Sequence, residues 1–176
     1  QARRLCEDRQ DAIDWLALVA VATEFRLGML LHRAVQAHLL GIVDPAAVQA
    51  LSEVYAASQA RSHAMTAELR GVLDRLAAAQ IPAIPYKGPA FGVQLYGDVA
   101  LRTYADLDVL VRECDIAGVN RVMAEAGYRA GLYLSWEVSF ERPGGASVDL
   151  HWSIAEKIHQ FPLTADELWA RRSTVN

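Results

Sequence analysis

The sequence predicts an α+β protein: an all-helical N-terminal half, then a half in which short strands and helices alternate. Three observations carry this reading. Apolar residues recur at steps of three and four as far as residue 80, the spacing of one helix face. The pattern stops at Ile81-Pro82, because proline disfavours helical backbone in the residue before it. Beyond that point period-two runs appear, most clearly Asp106-Leu107-Asp108-Val109-Leu110-Val111 and Val148-Asp149-Leu150-His151-Trp152.

Taken in order, residues 11–40 read as helical. Ile13, Leu16, Val19 and Ala20 make one stripe, and Phe25, Met29, Leu30 and Val35 continue a second. Gly41 is a plausible cap, and Asp44-Pro45 restarts the chain with an N-cap aspartate and a proline in the first turn. The next helix is long. Its stripe runs Val48, Leu51, Val54, Met65, Leu69, Val72 and Leu76, with Ser58 and Ser62 as small residues on the same face. Residues 82–86 then form a short strand, 89–96 a short helix and 106–111 a strand. An amphipathic helix follows over 114–126, closed by Gly127. Weaker strands are expected at 133–134 and 138–141, a Pro143-Gly144-Gly145 turn, a clear strand at 147–152 and a helix over 162–172. The turn after Gln80 is the one plausible domain boundary.

A chain of 176 residues, 53% hydrophobic, buries a real core as one domain or two small ones. Its formal net charge of −4 and the lack of a basic stripe argue against a polynucleotide partner. Cys6 and Cys114 match no metal-ligand spacing and read as reduced thiols of a cytoplasmic protein. The most apolar run, residues 15–23, is too short to span a bilayer, so no membrane partner is expected. A chain that starts at Gln1 and stops just after a helix-like segment is expected to be a piece of a longer protein.

The stretch Ile84-Pro85-Tyr86-Lys87-Gly88 through Arg112 carries the chemistry. Side chains alternate along a strand, so Asp106 and Asp108 face one way and Leu107, Val109 and Val111 the other. Two adjacent carboxylates require compensation, and magnesium suits hard oxygen ligands and phosphate alike. Asp149 and His151 share a face of their own strand. If that strand lies beside Asp106 and Asp108, three carboxylates meet, a set able to hold two magnesium ions with Asp149 as a base. Lys87-Gly88 opens a helix, where glycine permits close approach to a phosphate and lysine adds a charge. Arg102 could grip a phosphate bidentately. Each piece alone has a plain structural reading: a tight turn, a surface acid pair, an arginine bridging Asp98 or Asp106, a boundary histidine. The ordered combination raises the joint reading above its parts.

That combination resembles the polymerase-beta-type nucleotidyltransferase superfamily. More closely, it resembles the bacterial family labelled uncharacterised nucleotidyltransferase. The resemblance rests on Lys87-Gly88, Tyr96-Gly97-Asp98, Arg102, residues 106–111, Gly127-Tyr128 and residues 148–152. It implies a small mixed β-sheet with packed helices behind an all-helical N-terminal region. The expected division is 1–80 helical, 81–161 nucleotidyltransferase core and 162–176 the start of a further helical segment. It also implies a nucleoside triphosphate bound through magnesium, with manganese as the other option. Asp106 and Asp108 would be the metal pair and Asp149 the third carboxylate, with Lys87, Gly88 and Arg102 on the triphosphate and His151 behind the ligands. The broader superfamily usually has Gly-Ser where this chain has Lys87-Gly88, which implies a changed phosphate grip. The expected reaction moves a nucleoside monophosphate to a small-molecule, sugar or protein acceptor and releases pyrophosphate. Three rivals stand beside it: a non-catalytic nucleotide-binding module on the same fold, a partner-binding protein working through its helical half, and transfer of the γ-phosphoryl group instead.

Overall fold

The computed structural model describes residues 4, 6, 13–153 and 165–173. It divides into two compact units, Gln1–His63 with Asp98–Thr103, and Ala64–Gly97 with Tyr104–Asn176.

In the first unit, α1 (Trp15–Glu24) is capped by Asp14, whose carboxylate accepts from the Ala17 N–H at 2.9 Å. The chain breaks at Arg26, which adopts a positive φ of 60°, before α2 (Gly28–Ala34) and a π-helical turn at Val35–Leu39. The helical run expected over residues 11–40 is therefore two helices. The expected first stripe is buried only at Val19: Leu16 is 52% exposed and Ala20 is exposed, whereas Ala22, outside the stripe, is buried. α1 is apolar almost all round, so no polar face tells the sequence which side packs. The core here is Val19, Val35, Val43, Ala47 and Leu51. The third helix, α3 (Pro45–Ala78), starts as expected, with the Asp44 carboxylate accepting from the Ala46 N–H at 2.7 Å. Within this unit Tyr55 donates to Asp98 at 2.7 Å, and Ser58 to the Ala100 carbonyl at 2.8 Å. These bonds tie a short 3₁₀ turn, Val99–Leu101, to α3. Ser58 is thus a tether rather than only a small packing residue.

The second unit is built on a five-stranded mixed sheet. Its strands are β1 (Ile84–Tyr86), β2 (Asp106–Leu110), β3 (Arg129–Tyr133), β4 (Glu137–Glu141) and β5 (Ser147–His151), in the order β1-β2-β5-β4-β3. β2 and β5 run parallel, and every other neighbouring pair is antiparallel. One face carries Leu107, Val109, Val138, Phe140, Val148 and Leu150. These pack in one core with Met65, Leu69, Val72 and Leu76 of α3 and Val119, Val122 and Met123 of α5 (Ile116–Glu125). α5 starts later than expected because Glu113–Asp115 is a 3₁₀ turn. The other face carries the polar set, aspartates 106, 108 and 149 among them. Between β1 and β2 lies α4 (Gly88–Tyr96), closed by Gly97 in the left-handed conformation. β3 is longer than its expected remnant at 133–134, and all five of its residues are exposed, so no alternation marks it. A final helix, α6 (Ala165–Ala170), buries Trp169, over whose ring the Arg112 guanidinium sits at 5.1 Å. Positions 162–164 of the helix expected there lie outside the described residues. Among the described residues no helix is long and apolar enough to cross a membrane.

Candidate active site

The parallel register of β2 and β5 sets Asp108 directly beside Asp149, and Leu110 beside His151. Paired residues on neighbouring strands share a face, with backbones about 4.8 Å apart. The condition attached to the sequence reading, adjacency of these two strands, is therefore met. Tyr86 of β1 flanks Asp108, and Ser139 of β4 flanks Asp149, so one row reads Tyr86, Asp108, Asp149, Ser139. In the next row Glu137 lies beside His151.

Asp108 is the centre of this face. It is buried, and its Oδ1 is 2.7 Å from the Lys87 Nζ and 3.2 Å from the His151 Nε2. Burial alone would raise its pKa, but the bonds to His151 and Lys87 bring it below the ordinary carboxylate value. Asp149 goes the other way. Burial first, then the charges of Asp106 and Glu137, hold its pKa above the ordinary value. Asp106 lies one row earlier, opposite Ser147, and is half-buried.

Two residues of the site were not singled out by the sequence. The Tyr86 ring meets His151 edge-on at 5.3 Å, and burial, then Asp108, Glu137, Asp149 and Asp106, push its hydroxyl far above its ordinary pKa. Four carboxylates therefore bear on one phenol. Glu137 brings its Oε2 within 3.0 Å of the His151 Nδ1, so His151 lies between two carboxylates, with Asp108 on its Nε2 side. The alternation of Glu137 and Ser139 with Val138 and Phe140 marks a polar face. Only the strand order aims that face at the aspartates.

The Lys-Gly turn is unusual in its first residue. Lys87 has φ 56° and ψ −143°, a conformation that glycine normally supplies. Gly88 also has a positive φ, 34°, although a Cβ there would make only ordinary contacts. Gly88 and Pro89 are buried, and Pro89 has no N–H to offer. The accessible group at this turn is the Lys87 side chain, 46% exposed. Arg102 belongs to the first unit, half-buried and extended, just after the 3₁₀ turn.

Asp108, Asp149 and His151 each offer a ligand atom, and these atoms all lie within 4.8 Å of one another. Two carboxylates and an imidazole fit a divalent cation, and the nitrogen donor suits manganese at least as well as magnesium.

The model of the family described as "Uncharacterised nucleotidyltransferase" matches residues 11–176. No curated protein matches the chain. Three solved structures are similar. The solution structure of antibiotic-resistance factor ANT(2'')-Ia has 18% identity, a TM-score of 0.44 and coverage of 51% of this chain and 48% of its own. ANT(2'')-Ia in complex with adenylyl-2''-tobramycin has 19% identity, a TM-score of 0.41 and coverage of 51% and 52%. Terminal uridylyl transferase 4 from Trypanosoma brucei with bound GTP has 18% identity, a TM-score of 0.38 and coverage of 51% and 30%. The matched region spans about half the length of the first two and less than a third of the last.

Proposed function

The chain belongs to the uncharacterised nucleotidyltransferase family, and from that premise we propose that it moves a nucleoside monophosphate from a nucleoside triphosphate to an acceptor hydroxyl. The observation that carries the reading is the in-register pair Asp108 and Asp149, with Asp106 on the same face two residues before Asp108. Acids without a ligand to hold would gain nothing from such convergence.

In this reading the acceptor oxygen bonds to the α-phosphorus while the bond to the bridging oxygen breaks and pyrophosphate leaves. Asp106, Asp108 and Asp149 would hold the metal, with His151 beside them as a further donor. Magnesium or manganese, when bound, would neutralise the phosphates and polarise the reacting oxygens. Asp149 would take the acceptor proton. Its place beside Asp108 on the neighbouring strand would set it at the metal-bound end of the acceptor. Lys87 would bind the triphosphate as a point charge at the turn after β1, with Gly88 shaping the turn. For Arg102 the family resemblance alone argues. Residues 81–161 would be the catalytic core, and the acceptor a small molecule, sugar or protein.

Calorimetry with ATP, GTP, CTP and UTP, in magnesium and in manganese, tests this, followed by a pyrophosphate-release assay on an acceptor panel. We expect one nucleotide to bind only with metal. The Asp106→Ala/Asp108→Ala variant should lose that binding, and pyrophosphate release should fall at least roughly a hundredfold. Metal-dependent nucleotide binding without release on any acceptor would instead assign a binding module on this fold. Full release by the double variant would sink the reading.

A further inference from the structure

The Lys87 ammonium holds a carboxylate that the proposed metal needs. Its Nζ lies 2.7 Å from the Asp108 Oδ1, and Asp108 is one of the three groups that converge as possible ligands. The His151 Nε2 approaches the same oxygen at 3.2 Å. The Lys87 backbone has a positive φ of 56°, a strained conformation for a non-glycine residue and the kind that persists where a side chain has a task. Asp108 is almost wholly buried, whereas the lysine is about half-exposed, so the lysine is the partner able to leave. An ammonium and a divalent ion on one carboxylate would repel each other strongly in a half-buried site.

Resting on the metal-dependent reading above, we propose that Lys87 is a built-in counter-ion of Asp108 that the divalent metal displaces. On displacement the ammonium leaves the carboxylate while its backbone stays pinned between β1 and α4, and the freed charge then meets the triphosphate. One lysine thereby couples the two ligands. Metal alone binds against a resident cation, and nucleotide, by offering the lysine a second anion, tightens the metal. Linkage requires the metal to tighten nucleotide binding by the same factor.

The test is manganese binding by calorimetry, without nucleotide, on the wild type, Lys87→Met and Lys87→Arg. The neutral variant should bind manganese about tenfold more tightly, and the charge-conserving one within about twofold of the wild type. Unchanged or weaker binding by a folded Lys87→Met, beside clear binding by the wild type, overturns the counter-ion role and leaves the metal site standing. Absence of manganese binding in all three overturns both. Should Lys87→Met fail to fold, the wild type answers instead. Its lysines are Lys87 and Lys157, so ¹³C-lysine labelling gives two ε-methylene signals, assigned with Lys157→Arg. The Lys87 signal should move on magnesium addition with the midpoint of metal binding. A signal that stays put at saturation overturns the proposal.

Discussion

Two acid-centred clusters lie in the same unit, and they handle buried negative charge in opposite ways. At Glu68 on α3 the carboxylate is fully served: Oε1 accepts from the Tyr128 hydroxyl at 2.6 Å and the Arg142 Nε at 3.0 Å, and Oε2 from the Ala146 N–H at 2.9 Å. The Arg142 guanidinium also lies over the Tyr128 ring at 4.9 Å. Burial would raise the Glu68 pKa, but these donors bring it below the ordinary value. On the polar face of the sheet, Lys87 and His151 both spend themselves on one oxygen of Asp108, while Asp149 is left with a raised pKa. A cluster that meets its own needs fastens the turn between β4 and β5 to α3. A cluster with surplus acid is one that a ligand can complete.

The sharpest way to break this contrast is to remove the satisfied acid. Glu68→Ala leaves the Tyr128 hydroxyl, the Arg142 guanidinium and the Ala146 N–H without their acceptor in a largely buried place. We expect a loss of about 3 kcal/mol in urea unfolding, the usual cost of stripping one partner from a buried charged network. A loss below about 1 kcal/mol would show that the cluster does not fasten the turn.

Within that network the single hydroxyl is the next effect in size. Tyr128→Phe keeps the ring under Arg142 and removes one donor, so Glu68 retains Arg142 and the Ala146 N–H. The expected cost is about 1 kcal/mol, read from the same unfolding curves. A cost equal to that of Glu68→Ala would mean that the hydroxyl, rather than the whole donor set, holds the carboxylate.

Much of this organisation was legible in the sequence, for physical reasons that differ by element. The long α3 stripe and the alternation in β2 and β5 read correctly, because apolar side chains line one face of each element and mostly polar or small ones the other. α1 did not, since Leu16, Leu18 and Val21 are exposed on a helix that is apolar all round. β3 lacks alternation because none of its residues is buried. The grouping of Asp108 with Asp149 depended on strand order, which the sequence could pose only as a condition. Tyr86 and Glu137 entered the site through register alone, and the Glu68 cluster joins residues 60 to 78 positions apart. No local pattern marks such contacts.

The smallest effect, and the finest test of the contrast, is the pH dependence of stability, measured with a chelator present. For Glu68 the folded pKa is below its ordinary value of 4.5. Its contribution is therefore complete above that value and is lost as pH falls through the folded pKa. For Asp149 the folded pKa is above its ordinary value of 3.8, so its penalty is absent below that value and complete once pH has risen past the folded pKa. Near neutral pH, Glu68→Gln should be less stable than the wild type, and Asp149→Asn more stable by about 0.5 kcal/mol, the scale of a partly screened charge interaction. On acidification the two differences should shrink toward zero from opposite sides, the Asp149 difference fading as pH drops toward 3.8 and the Glu68 difference persisting until below 4.5. Chemical unfolding of the three proteins between neutrality and the acid limit of folding decides it. Two differences of the same sign would mean that Asp149 is held by the fold as Glu68 is, and the sheet face would lose its claim to be waiting for a ligand.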